Sequence, residues 1–254
     1  MEFLRKVAIV QVRTSSTRLP KKCLLKIFGR TVLEHIICRV KSAKSIDEIY
    51  IATTTDSSDD CLEEIAELCK VKLYRGSEND VLDRFYQVAK LAHADIICRI
   101  TADDPFKDPI IIDQFMEKFL DASCDYVSNT LIPTYPEGID IEIFSMQALE
   151  KAWREAKKNS EREHVTPYIW KNQQIFKVLN IKNEIDLSNL RWTLDNAIDW
   201  VFVQQVYDCL YEKTKIFLMK DILELIEKYP YLKEFNKNIV RNEGYLKSIE
   251  IEKN

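Results

Sequence analysis

The sequence predicts an α/β protein built on a mostly parallel sheet with helices on both faces. Three observations lead there. Over the first half of the chain, short apolar runs alternate with segments whose apolar residues fall at helical spacing, the pattern of strand–helix–strand units. The first run, residues 7–10, is rich in β-branched side chains and apolar on successive positions, as a strand buried on both faces requires. The length of 254 residues, 46% of them hydrophobic, supplies one large core.

Each element follows in order. After the first strand and a basic loop, Val32, Leu33, Ile36, Ile37 and Val40 fall at helical spacing, so Thr31 caps a helix reaching about Ala43. Residues 48–53 form a second strand, and Leu62, Ile65, Ala66 and Cys69 mark a helix behind the cap-rich Asp56, Ser57, Ser58 and Asp59. Residues 71–74 read as a third strand and 75–80 as a turn-like loop. Val81, Leu82, Phe85, Val88, Ala89 and Ala92 then form the stripe of the next helix. A fourth strand, 95–100, runs into Thr101, Ala102, Asp103, Asp104 and Pro105. Pro109 suits the first turn of a helix that faces inward through Ile112, Phe115, Met116 and Phe119. Residues 126–129 read as another strand end. Pro133, Pro136 and Gly138 break the rhythm before an alternating strand, 139–144, which puts Asp140 and Glu142 on one face. Ser145 caps a helix through Ala148, Leu149, Ala152 and Trp153. Residues 190–194 are strand-like and end at Asp195, and a helix runs from about 197 to 211. The expected organisation is one domain, 1–212 with an insertion near 130–180, extended by helices over 213–254 in which no chemistry is visible.

Charge narrows the function. A formal net charge of −4 argues against an extended nucleic-acid face. Against that acidic background, residues 3–33 contain no carboxylate, while Arg5, Lys6, Arg13, Arg18, Lys21, Lys22, Lys26 and Arg30 are cationic. A basic cluster confined to one loop points to a small phosphorylated ligand. The seven cysteines include no CxxC pair and read as reduced, mostly buried thiols of a cytoplasmic protein, not as metal ligands. The N-terminal apolar run is too short for a signal peptide. No segment approaches the roughly 20 apolar residues of a membrane span. Neither a membrane nor a nucleic acid is therefore an expected partner.

The basic loop has no glycine before Gly29, so it is neither a Walker A loop nor a dinucleotide fingerprint. Side-chain charge must carry the binding: Arg13, Arg18 and Lys22 for a triphosphate, with the hydroxyls of Ser15, Ser16 and Thr17. A solvated surface loop is the alternative. Asp103 and Asp195 each stand just past a predicted strand end. In one sheet they would converge near the basic loop and could hold Mg2+ against phosphate oxygens. Helix capping is the other reading of both, and Asp104 competes with Asp103 for the role. Tyr135, Asp140, Glu142, Arg162 and His164 are assigned to acceptor binding, with a purely structural role still open for the lone histidine. No Ser/His/Asp order, reactive cysteine or hydrolase carboxylate pair is apparent.

The stretch from Gln11 to Leu24 resembles the opening signature of the cytidylyltransferases that activate Kdo and acylneuraminate sugars, in particular the spore coat polysaccharide biosynthesis branch, whose pattern is roughly Q-A-R-x-x-S-T-R-L-P-G-K-x-L. Residues 74–85, 99–105, 126–130, 135–142, 162–168 and 190–195 are similar to the same branch, in order. The resemblance implies a three-layer α/β/α nucleotide-diphosphosugar transferase fold, Rossmann-like with a mostly parallel mixed sheet. It implies transfer of CMP from CTP to an acidic sugar or sugar phosphate with release of pyrophosphate, in surface polysaccharide or glycan biosynthesis, by a homodimer joined through the insertion. It further implies that Arg13 and Lys22 are catalytic, that Arg13, Ser15, Ser16, Arg18, Lys22, Arg75 and Asp103 contact the nucleotide, and that Asp103 and Asp195 hold Mg2+. Glu137 and Arg191 join the acceptor set. Lys21 and Ala102 stand where the family prefers glycine. Three rival readings are a GTP-dependent guanylyltransferase for hexosamine phosphates, a glycosyltransferase on the same fold and a non-catalytic binding or assembly role. The glycosyltransferase would need Asp103 with Asp104, or Asp140 with Glu142, as its metal motif.

Overall fold

A computed structural model describes residues 4–253, and they follow the predicted alternation. β1 (Lys6–Gln11) enters the basic loop. A small hairpin of β2 (Lys26–Ile27) and β3 (Arg30–Thr31) then leads into α1 (Val32–Lys41). β4 (Glu48–Thr54), α2 (Cys61–Cys69), β5 (Lys72–Gly76), α3 (Val81–Leu91), β6 (Ile96–Thr101) and α4 (Pro109–Ala122) complete the first half. β7 (Tyr126–Ser128), β8 (Glu142–Ser145), α5 (Met146–Glu155), α6 (Asn159–His164), α7 (Pro167–Lys171) and β9 (Val178–Asn180) come next, then α8 (Ala197–Leu210), α9 (Met219–Lys228) and α10 (Glu243–Lys253).

The sheet has seven strands in the order β5-β4-β1-β6-β8-β7-β9, and only β8 runs antiparallel to both its neighbours. β1 pairs in parallel with β4 on one side and β6 on the other. Strand order therefore reverses at β1, which opens a crevice at the carboxyl ends of β1 and β6 where ligands of such sheets bind.

Burial explains the layering. Alternate residues of β1 enter different cores: Ala8 and Val10 pack with α1, α4 and α8, whereas Val7 and Ile9 pack with α3 and α5. These cores lie on opposite faces, giving three layers. Local chemistry fixes the helix starts. Thr31 and Glu34 form a reciprocal capping box on α1, and Asp108 receives the Ile110 and Ile111 N–H groups beside Pro109 at the start of α4. From the C-terminal part, Phe217, Ile222, Leu225, Ile226 and Leu232 join the first core.

The predicted strand over 139–144 is regular only from Glu142. Before it, the Asn129 side chain donates to Ile139 O and accepts from Ile141 N, both at 2.9 Å, replacing the strand neighbour that would have continued the ladder. The 190–194 segment forms a single bridge, Arg191 to Glu137, because it pairs with the loop before β8 and not with the sheet. β9 was not expected, since three residues carry too little periodicity to read. All seven cysteines are free. Cys23, Cys98 and Cys124 are buried, and Cys209 is exposed. Among the described residues no helix is long and apolar enough to cross a membrane.

Candidate active site

The basic loop is shaped by its own backbone and by one buried carboxylate. Ser16 N and Lys21 N both donate to Thr14 O, at 2.9 and 3.0 Å, folding the loop on itself. Thr14 N and Oγ1 donate to Asp59 Oδ1, while Thr53 and Thr54 donate their hydroxyls to Asp59 Oδ2. Burial alone would raise the Asp59 carboxyl, but the hydrogen bonds from Thr54 and Thr14 outweigh it and hold it below the usual carboxylate range. Lys21 has a φ of 57°, in the left-handed region, just before a single 3-10 turn over Lys22–Leu24. Glycine would sit there without strain, so the departure from the family pattern falls where it costs conformational energy, about 1 kcal/mol.

This turn directs Lys22 into the crevice. Its Nζ lies 2.8 Å from Asp103 Oδ2 and 2.8 Å from Asp195 Oδ1. Leu194 N and Thr193 Oγ1 donate to Asp103 O at 2.7 and 3.2 Å, so the segment from Leu190 is tied directly to the end of β6 and the two carboxylates converge. Neither aspartate caps a helix: Asp108 and Asp199 supply the oxygens at the starts of α4 and α8. Burial works against the charges of both Lys22 and Asp103, and each offsets it for the other. The ammonium is held above its ordinary value, and Asp103 is brought down to about 2.

Asp104 has the opposite environment. It faces the interior, where burial raises its carboxyl to about 6 despite Lys107 at 2.7 Å. Asp103 and Asp104 thus face different ways and do not act as a paired metal motif. Among the described residues no group of three or more His, Cys, Asp or Glu could hold a metal. Asp103 and Asp195, two carboxylate oxygens within reach of one point, suit a magnesium ion that completes its shell with water and phosphate.

The other expected nucleotide residues line the same side. Arg18 Nη2 donates to Asp195 Oδ1 at 2.8 Å, and its Nη1 to Glu243 at 3.0 Å. Arg13 and Ser15 both reach Glu78, at 3.2 and 2.9 Å, and both are exposed. Ser16 stays within the loop, its Oγ 3.5 Å from Leu19 N. Arg75 lies at the edge, engaged by Asp60, Glu63 and the carbonyls of Thr54 and Asp56.

The opposite wall carries Tyr135, Glu137, Asp140 and Arg191 of the expected acceptor set, and most are already paired. Arg191 donates Nη1 to Glu137 at 2.7 Å, Nε to Asp199 at 3.0 Å and Nη2 to Asp195 at 3.3 Å. Gly138, at φ 104°, permits this approach, because a Cβ there would stand 2.7 Å from Thr193 N. Asp140 pairs with Arg241 at 2.6 Å. Tyr135 is buried against Phe115. Glu142 is closed off by Arg99, Tyr126 and Thr166. Arg162 is drawn to Asp80 at the start of α3, and His164 Nε2 sits 3.0 Å from Ser248 Oγ. Glu142, Arg162 and His164 therefore stand apart from the Lys22 cluster, joined to their own partners.

Sequence reading missed Asp59, Arg84, Asp199 and the C-terminal Arg241 and Glu243. Arg84 is 2% exposed, and its Nε and Nη1 are buried with no hydrogen-bond partner among the described residues. Burial, and then nearby Arg13, lower its guanidinium. The signal available was a charge on the inward face of α3, one residue before the core Phe85.

The model of the cytidylyltransferase family matches residues 7–245. The chain belongs to that family. This cytidylyltransferase is 37% identical over 244 residues to an uncharacterized protein of Methanocaldococcus jannaschii, covering 94% of this chain and 97% of the relative. It is 30% identical over 229 residues to the spore coat polysaccharide biosynthesis protein SpsF of Bacillus subtilis, covering 87% and 94%. Its fold superposes with a TM-score of 0.87 on the structure of a cytidylyltransferase from Leptospira borgpetersenii, at 33% identity over 94% of this chain and 99% of that one. The family, branch and three-layer fold implied by the motifs are those found.

Proposed function

We propose that this cytidylyltransferase transfers CMP from CTP to an acidic sugar or sugar phosphate, with Mg2+, in the synthesis of a surface polysaccharide or related glycan. The observation that carries this is the Lys22 ammonium bridging Asp103 and Asp195 at the reversal point of the sheet, with Arg18 bonded to the same Asp195. In the reaction an anionic oxygen of the acceptor forms a bond to the α-phosphorus. The bond from that phosphorus to the bridging oxygen breaks, and its electron pair leaves with pyrophosphate. The acceptor supplies its own nucleophile, so the chain contributes alignment and charge neutralisation. Arg13, Arg18 and Lys22 hold the triphosphate and meet the charge that develops on the leaving group. Asp103 and Asp195 would hold Mg2+, which when bound neutralises phosphate oxygens.

Pyrophosphate release, measured over a matrix of nucleoside triphosphates against acidic sugars and sugar 1-phosphates, tests this. The expected result is turnover with CTP and one acceptor class, lost on adding a chelator and in Asp103→Ala. Turnover with GTP and a hexosamine phosphate alone, or none with any triphosphate, would overturn it.

A further inference from the structure

The C-terminal segment carries no motif, yet it runs back across the mouth of the crevice and touches both walls. Asn236 donates Nδ2 to Asp199 Oδ1 and to Arg191 O, at 2.8 and 3.1 Å. Arg241 reaches Tyr135 O at 3.0 Å and Asp140 at 2.6 Å, and Asn242 N donates to Glu137 at 2.9 Å. The next residue, Glu243, accepts from Arg18 at 3.0 Å on the opposite wall. Gly244 lies beside the same guanidinium, where a Cβ would be 3.9 Å from Arg18 Nη2.

The two parts of this segment are held differently. Up to Asn242 it is anchored, with Asn236 buried and two carboxylates of the acceptor wall engaged. From Glu243 on, α10 presents Leu246 and Ile251 at 50% and 76% exposure. Its links are Glu243 to Arg18, Ser248 to His164 and Glu163, Ser160 N and Oγ to Glu252, and the Tyr245 ring edge-on to His164 and Trp170 beside Lys171. With one aromatic ring and otherwise only ion pairs and hydrogen bonds near the surface, this helix is held less firmly than the segment before it. Asn242, with a φ of 56°, is the joint between the two parts.

Arg18 is thus clasped by two carboxylates, and a phosphate that binds it must displace one. Asp195 is buried and also held by Lys22 and Arg191. Glu243 is more exposed, and its other partner is Lys247 within α10. Glu243 is the one that yields. We infer that α10 is a lid latched over the crevice by Glu243 on Arg18, and that an anionic phosphate ligand opens the latch by taking Arg18. Arg241 and Asn242 N keep their bonds to the acceptor wall in the open state, because they precede the joint. The trigger rests on the reading of Arg18 as a triphosphate contact.

Hydrogen exchange and titration calorimetry on the full chain test it, with CTP–Mg2+ and inorganic tripolyphosphate as probes. Without ligand, the amides of α10 should exchange several-fold faster in Glu243→Gln than in wild type, and either probe should speed the same amides in wild type. Glu243→Gln should bind tripolyphosphate roughly threefold to fivefold more tightly, the weight of one exposed ion pair. Lys247→Ala, which removes only the partner inside the helix, should leave both readouts within about twofold of wild type. Equal α10 exchange in unliganded wild type and Glu243→Gln overturns the latch, as does slower α10 exchange on adding a probe, or a Lys247→Ala effect as large as that of Glu243→Gln. A wild-type chain that binds neither probe overturns the triphosphate reading, and the unliganded exchange comparison then decides the latch alone.

Discussion

On the strand-end wall of the crevice, Arg13 and Arg18 are exposed and Arg84 has two buried nitrogens without a partner among the described residues, whereas on the opposite wall every guanidinium nitrogen of Arg191 meets a carboxylate. Both walls are rich in arginine and drawn from motifs of equal prominence, so residue type does not separate them. Saturation does. A cation whose nitrogens are all matched by protein oxygens holds segments together, while one left open keeps its capacity for an incoming anion. The difference teaches which arginines build the site and which serve it.

The comparison is broken or sharpened most strongly at Arg191. Arg191→Met would leave Glu137 and Asp199 with uncompensated buried charge, while Asp195 keeps Lys22 and Arg18, and should cost about 3–5 kcal/mol of stability, read by denaturant unfolding. A loss under about 1 kcal/mol would show that Arg191 is no strut. Lys22→Ala should still fold, at some cost in stability because Asp103 loses its cation, yet release pyrophosphate on the order of a hundredfold more slowly, the ~3 kcal/mol typical of a lost transition-state cation. Unchanged turnover would move the chemistry elsewhere.

A pH titration probes the lid end of the crevice. Burial holds the His164 imidazole down to about 4, with Glu163 opposing and Arg99 reinforcing the shift. A folded value below the ordinary one favours the neutral ring in the native state. The contribution is therefore complete above pH 6.5 and is lost as pH falls toward 4. Wild type should lose on the order of 2 kcal/mol over that window, and His164→Gln should lack this component. Parallel curves for the two proteins would discard the assignment. The smallest effect is expected at Arg84. Because its buried Nε and Nη1 have no partner to strand, Arg84→Met should change the unfolding free energy by less than about 1 kcal/mol while weakening triphosphate binding. A large destabilisation would mean that Arg84 is a strut like Arg191.

The elements that sequence reading located share one property: their signal is local. The β1 run, the Thr31 box with Glu34, the α3 stripe and Pro109 with its cap each depend on residues within a few positions of one another. The short β9, the Asn129 side chain that replaces a strand neighbour and the single bridge at Arg191 depend on partners 10 or more positions away, and none was visible. In the site, the basic loop and Asp103 were legible from charge and from their position after strands. Asp59, which the sequence presents as one of several cap residues, became the anchor of that loop only through Thr14, Thr53 and Thr54. Glu142 shows the reverse, since its alternation with Asp140 suggested a shared face, but its oxygens are taken by Arg99, Tyr126 and Thr166.

By itself the sequence determined the layers, the parallel sheet, the family and the cationic loop, because hydrophobic period and local charge are written along the chain. Only the tertiary structure decided which charges meet. It brought Asp195 to Lys22 across 173 positions, matched Arg191 to three carboxylates and laid Glu243 on Arg18. The reason is physical: the ionisation and availability of a side chain depend on burial and on partners within a few ångströms, and neither distance nor burial is a property of sequence spacing.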